Sequence, residues 1–189
     1  LYEGNSSFPL RVLNVRYATT IAPETHAIST LEDKHPLPRA WIADRAEVLT
    51  DENAILKRMA DPNFDASGTV LLEKPPRIPL TPGTGPAGQC TAKKLEDGSL
   101  EIMTECSRNG YLVISEMYYP GWLATIDGQE VELERADYLI NAIPLPAGKH
   151  RVVYAYRPMS FRLGAAGTLL ACVAALFIAF YPRRKLNPP

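Results

Sequence analysis

Near the C-terminus, the nineteen residues from Leu163 to Tyr181, LGAAGTLLACVAALFIAFY, carry no charge. Their only polar side chains are Thr168 and the terminal Tyr181 hydroxyl. At about 1.5 Å per residue such a helix is roughly 28 Å long, close to the hydrocarbon thickness of a bilayer. Arg162 bounds it on one side and Pro182, Arg183, Arg184 and Lys185 on the other. The alternative is a buried core helix, but a core helix rarely runs this long without a polar face. The stretch reads as a membrane span. Whatever precedes it must therefore fold as a body tethered at the membrane surface.

Within the span, Gly164, Gly167, Ala171, Ala174 and Ala175 recur at spacings of three and four. Such a stripe lets helix backbones approach closely, so it reads as a face for packing on other membrane helices. A lone anchor, in which Ala and Gly only fill space, is the competing reading. Arg183, Arg184 and Lys185 lie close together just past the span, whereas Lys149, Arg151, Arg157 and Arg162 are spread out before it. Local density favours a cytoplasmic tail over residues 182–189 and an extracytoplasmic body. That compartment permits a disulfide between Cys90 and Cys106.

Net charge is −1 over 189 residues, with no basic stripe ahead of the span, which argues against a nucleic-acid partner. The three histidines are scattered, and Cys90, Cys106 and Cys172 form no CxxC pair, so neither a zinc site nor another metal site is expected. The first ten residues lack a signal-peptide pattern, and the chain reads as a piece of a longer protein.

The soluble part divides into three sections. Residues 1–74 mix strand and helix signals: LRVLNVRYA (Leu10 to Ala18) alternates as a half-buried strand, and PRAWIADRAEVL (Pro38 to Leu49) looks extended. Thr50 or Asp51 can cap a short helix whose apolar face is Ile55, Leu56 and Met59, and GTVLLE (Gly68 to Glu73) suits a buried strand. Residues 75–88 hold five prolines and three glycines in fourteen, the composition of a mobile loop or linker. Residues 89–158 are dense in short strands, with a hairpin signal at Asp97-Gly98 and further turns at Asp127-Gly128 and Ala147-Gly148. Regular short strands suggest a β-sandwich. The expected fold is thus mostly β, in the α+β class, with a small α/β N-terminal section and one transmembrane helix at 163–181.

No repeat, phosphate-binding glycine loop, nucleophile elbow or metalloprotease helix occurs. The densest cluster is YYPGW. Pro120 presets φ, Gly121 tolerates positive φ, and the pair suits a type II turn. Strand alternation sends one of Tyr118, Tyr119 and Trp122 into the core and at least one outward. Three roles stay open for these rings: core packing beside a turn, stacking on a carbohydrate, or a seat at the membrane interface. Asp127, Glu130, Glu132 and Glu134 could in principle serve as paired carboxylates for glycoside chemistry. Their alternation with Val131 and Leu133 is instead that of a solvated strand face. His150, Arg151 and Arg157 read as structural or membrane-flanking groups, with lipid headgroups or an anionic substrate as partners.

Several motifs in order carry a resemblance: the LNVRYA strand, LPRAW at 37–41, ADPNFD at 60–65 leading to TVLLE at 69–73, YYPGW followed by IDG at 126–128, ADYLINAIPLPAGKH at 136–150, and YRPMSFRLG at 156–164. Together they resemble the C-terminal part of the YfhO family, bacterial multi-span membrane proteins similar to GT-C glycosyltransferases. The resemblance implies a parent that transfers sugar from a polyprenyl-phosphate carrier at the outer face of the cell membrane. It places the catalytic acid in an early loop outside this sequence, so no catalytic residue and no cofactor are expected here. The implied partners are upstream helices of the same chain, the lipid bilayer and a lipid-linked sugar or glycan. A membrane-anchored glycan- or protein-binding module and a structural tether are the competing classes. The proline-rich loop and the cysteine pair depart from the family pattern.

Overall fold

The computed structural model describes residues 12–22, 24–33, 36–81 and 83–180. The tail at 182–189, with its basic cluster, and Tyr181 at the end of the expected span lie outside the described residues. So do Leu10 and Arg11. The first described elements are β1 (Tyr17–Ile21) and β2 (Ile28–Glu32), which pair only with each other, in antiparallel register. Then come β3 (Ala40–Ala43), β4 (Arg45–Val48), α1 (Glu52–Met59) and β5 (Thr69–Leu72). Beyond the proline-rich loop the chain is all β: β6 (Gly88–Lys94), β7 (Leu100–Cys106), β8 (Gly110–Met117), β9 (Trp122–Ile126), β10 (Gln129–Val131), β11 (Glu134–Ala136), β12 (Ile140–Leu145) and β13 (Gly148–Tyr156). It ends in α2 (Met159–Phe180).

Two larger sheets result. One has the order β10-β9-β13-β7-β6, the other β3-β8-β12-β11-β5-β4. The first and third sequence sections are therefore not separate bodies, because β3, β4 and β5 complete a sheet whose centre is β8 and β12. Two apolar cores explain why. Trp41, Tyr111, Val113 and Ala142 pack with Ile55 and Met59 of α1. Ile42, Leu112, Ile114 and Ile143 pack with Ile102, Val152 and Tyr154 of the facing sheet. Alternate residues of β8 thus enter opposite cores, and a strand covered on both faces reads as an unbroken apolar run, here YLVI. The arrangement is a β-sandwich with a helical layer on its six-stranded side, matching the fold class read from the sequence.

Local chemistry sets the element ends. Asp51 caps α1, its Oδ2 accepting from the Ala54 amide at 2.8 Å. Ile55 and Met59 are buried, but Leu56 is exposed, so the apolar face of this short helix is narrower than three residues. Asp127 and Gly128 both take positive φ, as the two-residue turn between β9 and β10 requires. In the β6–β7 hairpin Gly98 alone is left-handed, and Asp97 accepts from the Ser99 amide at 3.0 Å. Asp137 (φ 45°) and Tyr138 (φ 70°) turn β11 into β12. The Asp137 carboxylate, fully buried, accepts from the Leu71 amide at 2.8 Å. Burial, only partly opposed by that hydrogen bond, pushes the Asp137 carboxyl up to about 7.

One expectation changes. Within the described part of the stretch expected as a strand at Leu10–Ala18, residues 12–18, the strand begins only at Tyr17. Asn14 is left-handed (φ 55°) and Val12 is fully buried against the α1 core, so this stretch folds as a turn that plugs a core. The described residues of the loop at 75–88 are also hydrogen-bonded to the sandwich. The Arg108 guanidinium bridges Asp44 (2.5 Å) and the Gly85 carbonyl (2.5 Å), and Asn109 donates to the Pro79 carbonyl at 3.0 Å.

Candidate functional site

β8 ends in one sheet and β9 begins in the other, so the chain must cross between sheets at residues 118–121. Tyr119 to Trp122 make the crossing, with Pro120 and Gly121 (φ 110°) at the two central positions and the Trp122 amide 3.5 Å from the Tyr119 carbonyl. This is the geometry of a type II turn. Register fixes the rings. Trp122 stands opposite Tyr156 and shares the inner face with Ala124 and Tyr154. Its ring stacks on Tyr154 at 4.4 Å and 11°, and tilts against Tyr156 at 5.0 Å. Trp122 thus closes one end of the sandwich core. Tyr119 points outward with 61% of its surface exposed, and Tyr118 is partly exposed.

The turn roofs a cleft of about 330 Å³ lined by Tyr118, Tyr119, Trp122, Glu130, Glu132 and Leu133. A smaller hollow of about 150 Å³ shares Tyr118, Glu132 and Leu133 and adds Lys74, Arg77 and Glu134. Aromatic faces therefore meet carboxylates and cations along one groove. That mixture suits a polyhydroxylated ligand, which offers both apolar C–H faces and hydroxyl donors and acceptors.

The carboxylates differ from the solvated face their alternation suggests. Glu132 is exposed and pairs with Arg77, which holds its carboxyl below the ordinary value. Glu134 is nearly buried. Tyr111 donates to its Oε1 at 3.1 Å and the Arg77 guanidinium lies 3.4 Å away. Burial dominates and raises the Glu134 carboxyl. The same burial pushes the Tyr111 hydroxyl up to about 12, so it stays a donor to Glu134 while accepting from the Arg77 amide at 3.0 Å. Alternation failed at Glu134 because the chain leaves the β10 edge strand there and enters β11 in the other sheet.

Asp127 serves its turn. Its carboxylate accepts from the Arg151 amide at 2.9 Å and meets His150 Nδ1 at 2.7 Å, and these two contacts, the backbone one first, lower its pKa. Arg151 pairs with Glu101 at 2.6 Å. Cys90 and Cys106 lie on neighbouring strands and one face, but Cys90 stands opposite Thr104 and Cys106 opposite Gly88, a diagonal rather than a direct pair. Both thiols are free. Cys90 donates to the Ala40 carbonyl at 3.2 Å, and burial raises its thiol to about 11 and that of Cys106 upward. Gly164, Gly167, Ala171, Ala174 and Ala175 all lie on α2, which buries no residue against the described chain. Among the described residues no cluster of His, Cys, Asp and Glu could hold a metal ion.

The groove lies at the root of α2. The Arg157 amide donates to the Gly121 carbonyl at 2.7 Å, and a side chain at Gly121 would collide with Tyr156 and Pro158. The aromatic turn is fastened to the link between β13 and the long apolar helix. A membrane-tethered β-sandwich is the class this architecture defines. Residues 87–168 match the family model described as bacterial membrane protein YfhO. The uncharacterized protein YfhO of Bacillus subtilis (strain 168) is 29% identical over 79 residues, covering 42% of this chain. That alignment spans 9% of the relative's length. The resemblance read from the motifs agrees with these matches: the β-rich part of this chain, from β6 into α2, is similar to the YfhO membrane-protein family. α2 is the one helix among the described residues long and apolar enough to span a membrane.

Proposed function

We propose that this chain is the non-catalytic, extracytoplasmic C-terminal domain and last membrane span of a glycosyltransferase that uses polyprenyl-phosphate-linked sugars, and that the groove under Tyr118 and Tyr119 receives a sugar at the membrane face. The observation that carries this is position. A groove combining exposed aromatic rings with polar groups is fastened to the link that leads into the span. A lipid-linked sugar is presented at that height, because its carrier lies in the bilayer. The arrangement of the charged groups supports an accessory role, since Glu132 and Glu134 are both engaged by Arg77 and Glu134 also by Tyr111. The small-residue stripe on α2 supports docking on upstream helices of the parent. The basic cluster at Arg183, Arg184 and Lys185 supports an outward-facing domain.

The test is sugar transfer by the full parent protein carrying Tyr118→Ala and Tyr119→Ala. A loss of about tenfold or more in kcat/KM, with unchanged melting of the domain, is expected for two lost stacking contacts of about 1 kcal/mol each. Undiminished transfer by the folded double variant would remove the groove from the reaction. A second reading, an autonomous glycan-binding module, draws on the two apolar cores closed within this chain. It predicts saturable shifts of the Trp122 indole on titration with envelope glycan fragments even without the upstream protein.

A further inference from the structure

We infer that the Tyr118–Gly121 turn, with Met117 and Leu123 beside it, lies in the lipid headgroup layer of the membrane that α2 enters. The sandwich would then rest on the bilayer by this end rather than stand clear of it on a stalk. This inference rests on α2 being a membrane span and is independent of sugar transfer.

Chain length sets the distance. α2 has 22 residues and is about 33 Å long. The hydrocarbon core is about 30 Å thick, with polar layers of roughly 6 Å on each side. The first turn of α2, from Met159, therefore begins in or at the edge of a polar layer. From Tyr156 to Met159 the chain can reach at most about 10 Å. The aromatic turn cannot swing away from this link, because Gly121 is hydrogen-bonded to Arg157 and packed against Pro158. A rigid turn is thus held within about 10 Å of the lipid boundary.

The surface chemistry fits that layer. Met117 and Tyr119 are more than 60% exposed and Leu123 is 42% exposed, a costly concentration of apolar surface if it faced only water. Tyrosine, with an apolar ring and a polar tip, is enriched at headgroup depth. At the opposite end of the sandwich Lys149, the second residue of β13, pairs with Glu105 at 3.0 Å, about 23 Å along the strand from Tyr156. Exposed aromatic and aliphatic side chains stand at the end that the span reaches, beside the Arg39–Glu116 and Arg77–Glu132 pairs, and such a mixture of rings and charges suits a headgroup layer.

Fluorine NMR on the full-length protein in bilayer nanodiscs of phosphatidylethanolamine and phosphatidylglycerol would decide. A trifluoromethyl-phenylalanine replaces Tyr119 in one sample and Lys149 in a second. A headgroup-spin-labelled phosphatidylcholine broadens nuclei near the lipid surface, and a soluble gadolinium chelate broadens those in water. The expected result is lipid-induced broadening at position 119 at least threefold that at position 149, with the reverse order for the chelate. Broadening at 119 by the chelate alone would mean the turn stands in water. Broadening by neither would mean that another part of the protein covers it. Either result overturns the inference.

Discussion

β8 and α2 are both apolar, yet the structure treats them oppositely. Residues Tyr111 to Ile114 of β8 are wholly buried, divided between two cores. α2 is longer and more apolar, and no residue of it is buried. A strand of four apolar residues finds cover within its own chain. A helix apolar on every side over about five turns cannot, because covering it would require a ring of partners that the described residues do not supply. The lesson is that apolar content alone does not assign a segment to a core. What matters is whether the rest of the chain can supply a matching surface, and for α2 that surface is lipid or other membrane helices.

The contrast can be broken first at the core. Ile143→Ala removes a fully buried side chain from between the sheets and is expected to cost about 2–5 kcal/mol in denaturant titrations. Leu176→Ala in α2 should leave the melting of the sandwich unchanged. Equal destabilisation by both would show that α2 packs on the sandwich after all. The next effect concerns the buried Asp137. Its folded pKa lies near 7, well above the ordinary carboxylate value, so its neutral form is the one the fold favours. That contribution is complete below about pH 4 and is lost as pH rises through 7, at most about 4 kcal/mol. Asp137→Asn keeps an acceptor for the Leu71 amide and should flatten the fall in stability between pH 4 and 7. An unchanged slope would mean the carboxyl ionises at no cost.

A smaller effect tests the tethered loop. Arg108→Met leaves the buried Asp44 without its charged partner and frees the Gly85 carbonyl. A cost of about 1–3 kcal/mol and faster amide exchange across residues 83–88 are expected. If exchange there is unaltered, the loop is held without Arg108, by its other hydrogen bonds and packing. The least perturbing measurement is thiol labelling of the native protein at pH 8. A thiol raised from 9 to about 11 has roughly a hundredfold less thiolate, so Cys90 should alkylate far more slowly than in urea. Rapid native labelling would show that this edge of the sandwich opens readily, whereas a mass two hydrogens lighter would show that Cys90 and Cys106 have bridged.

Much of this was legible from residue order. The α1 cap at Asp51, the Asp97-Gly98 and Asp127-Gly128 turns and the Pro120-Gly121 turn are all local, set by side chains within a few residues of the backbone they shape. The strand at Leu10–Ala18 misled because Val12 is claimed by a distant core, which overrides local alternation. Glu134 misled for a similar reason: its burial depends on Tyr111, twenty-three residues earlier, and on Arg77 in a loop. Of the candidate groove, the rings were visible as a cluster, but Lys74 and Arg77 were not, since no spacing rule links them to YYPGW.

By itself the sequence determined the membrane span, the β-rich body and the turns, because hydropathy, period-two alternation and φ preferences act over short distances. Only the tertiary structure decided that β3, β4 and β5 complete the six-stranded sheet, that Trp122 plugs a core while Tyr119 stays outside, and that the aromatic turn is fastened to the root of the span. Those facts depend on which surfaces exclude water together. They join residues far apart in the chain, and no local pattern records them.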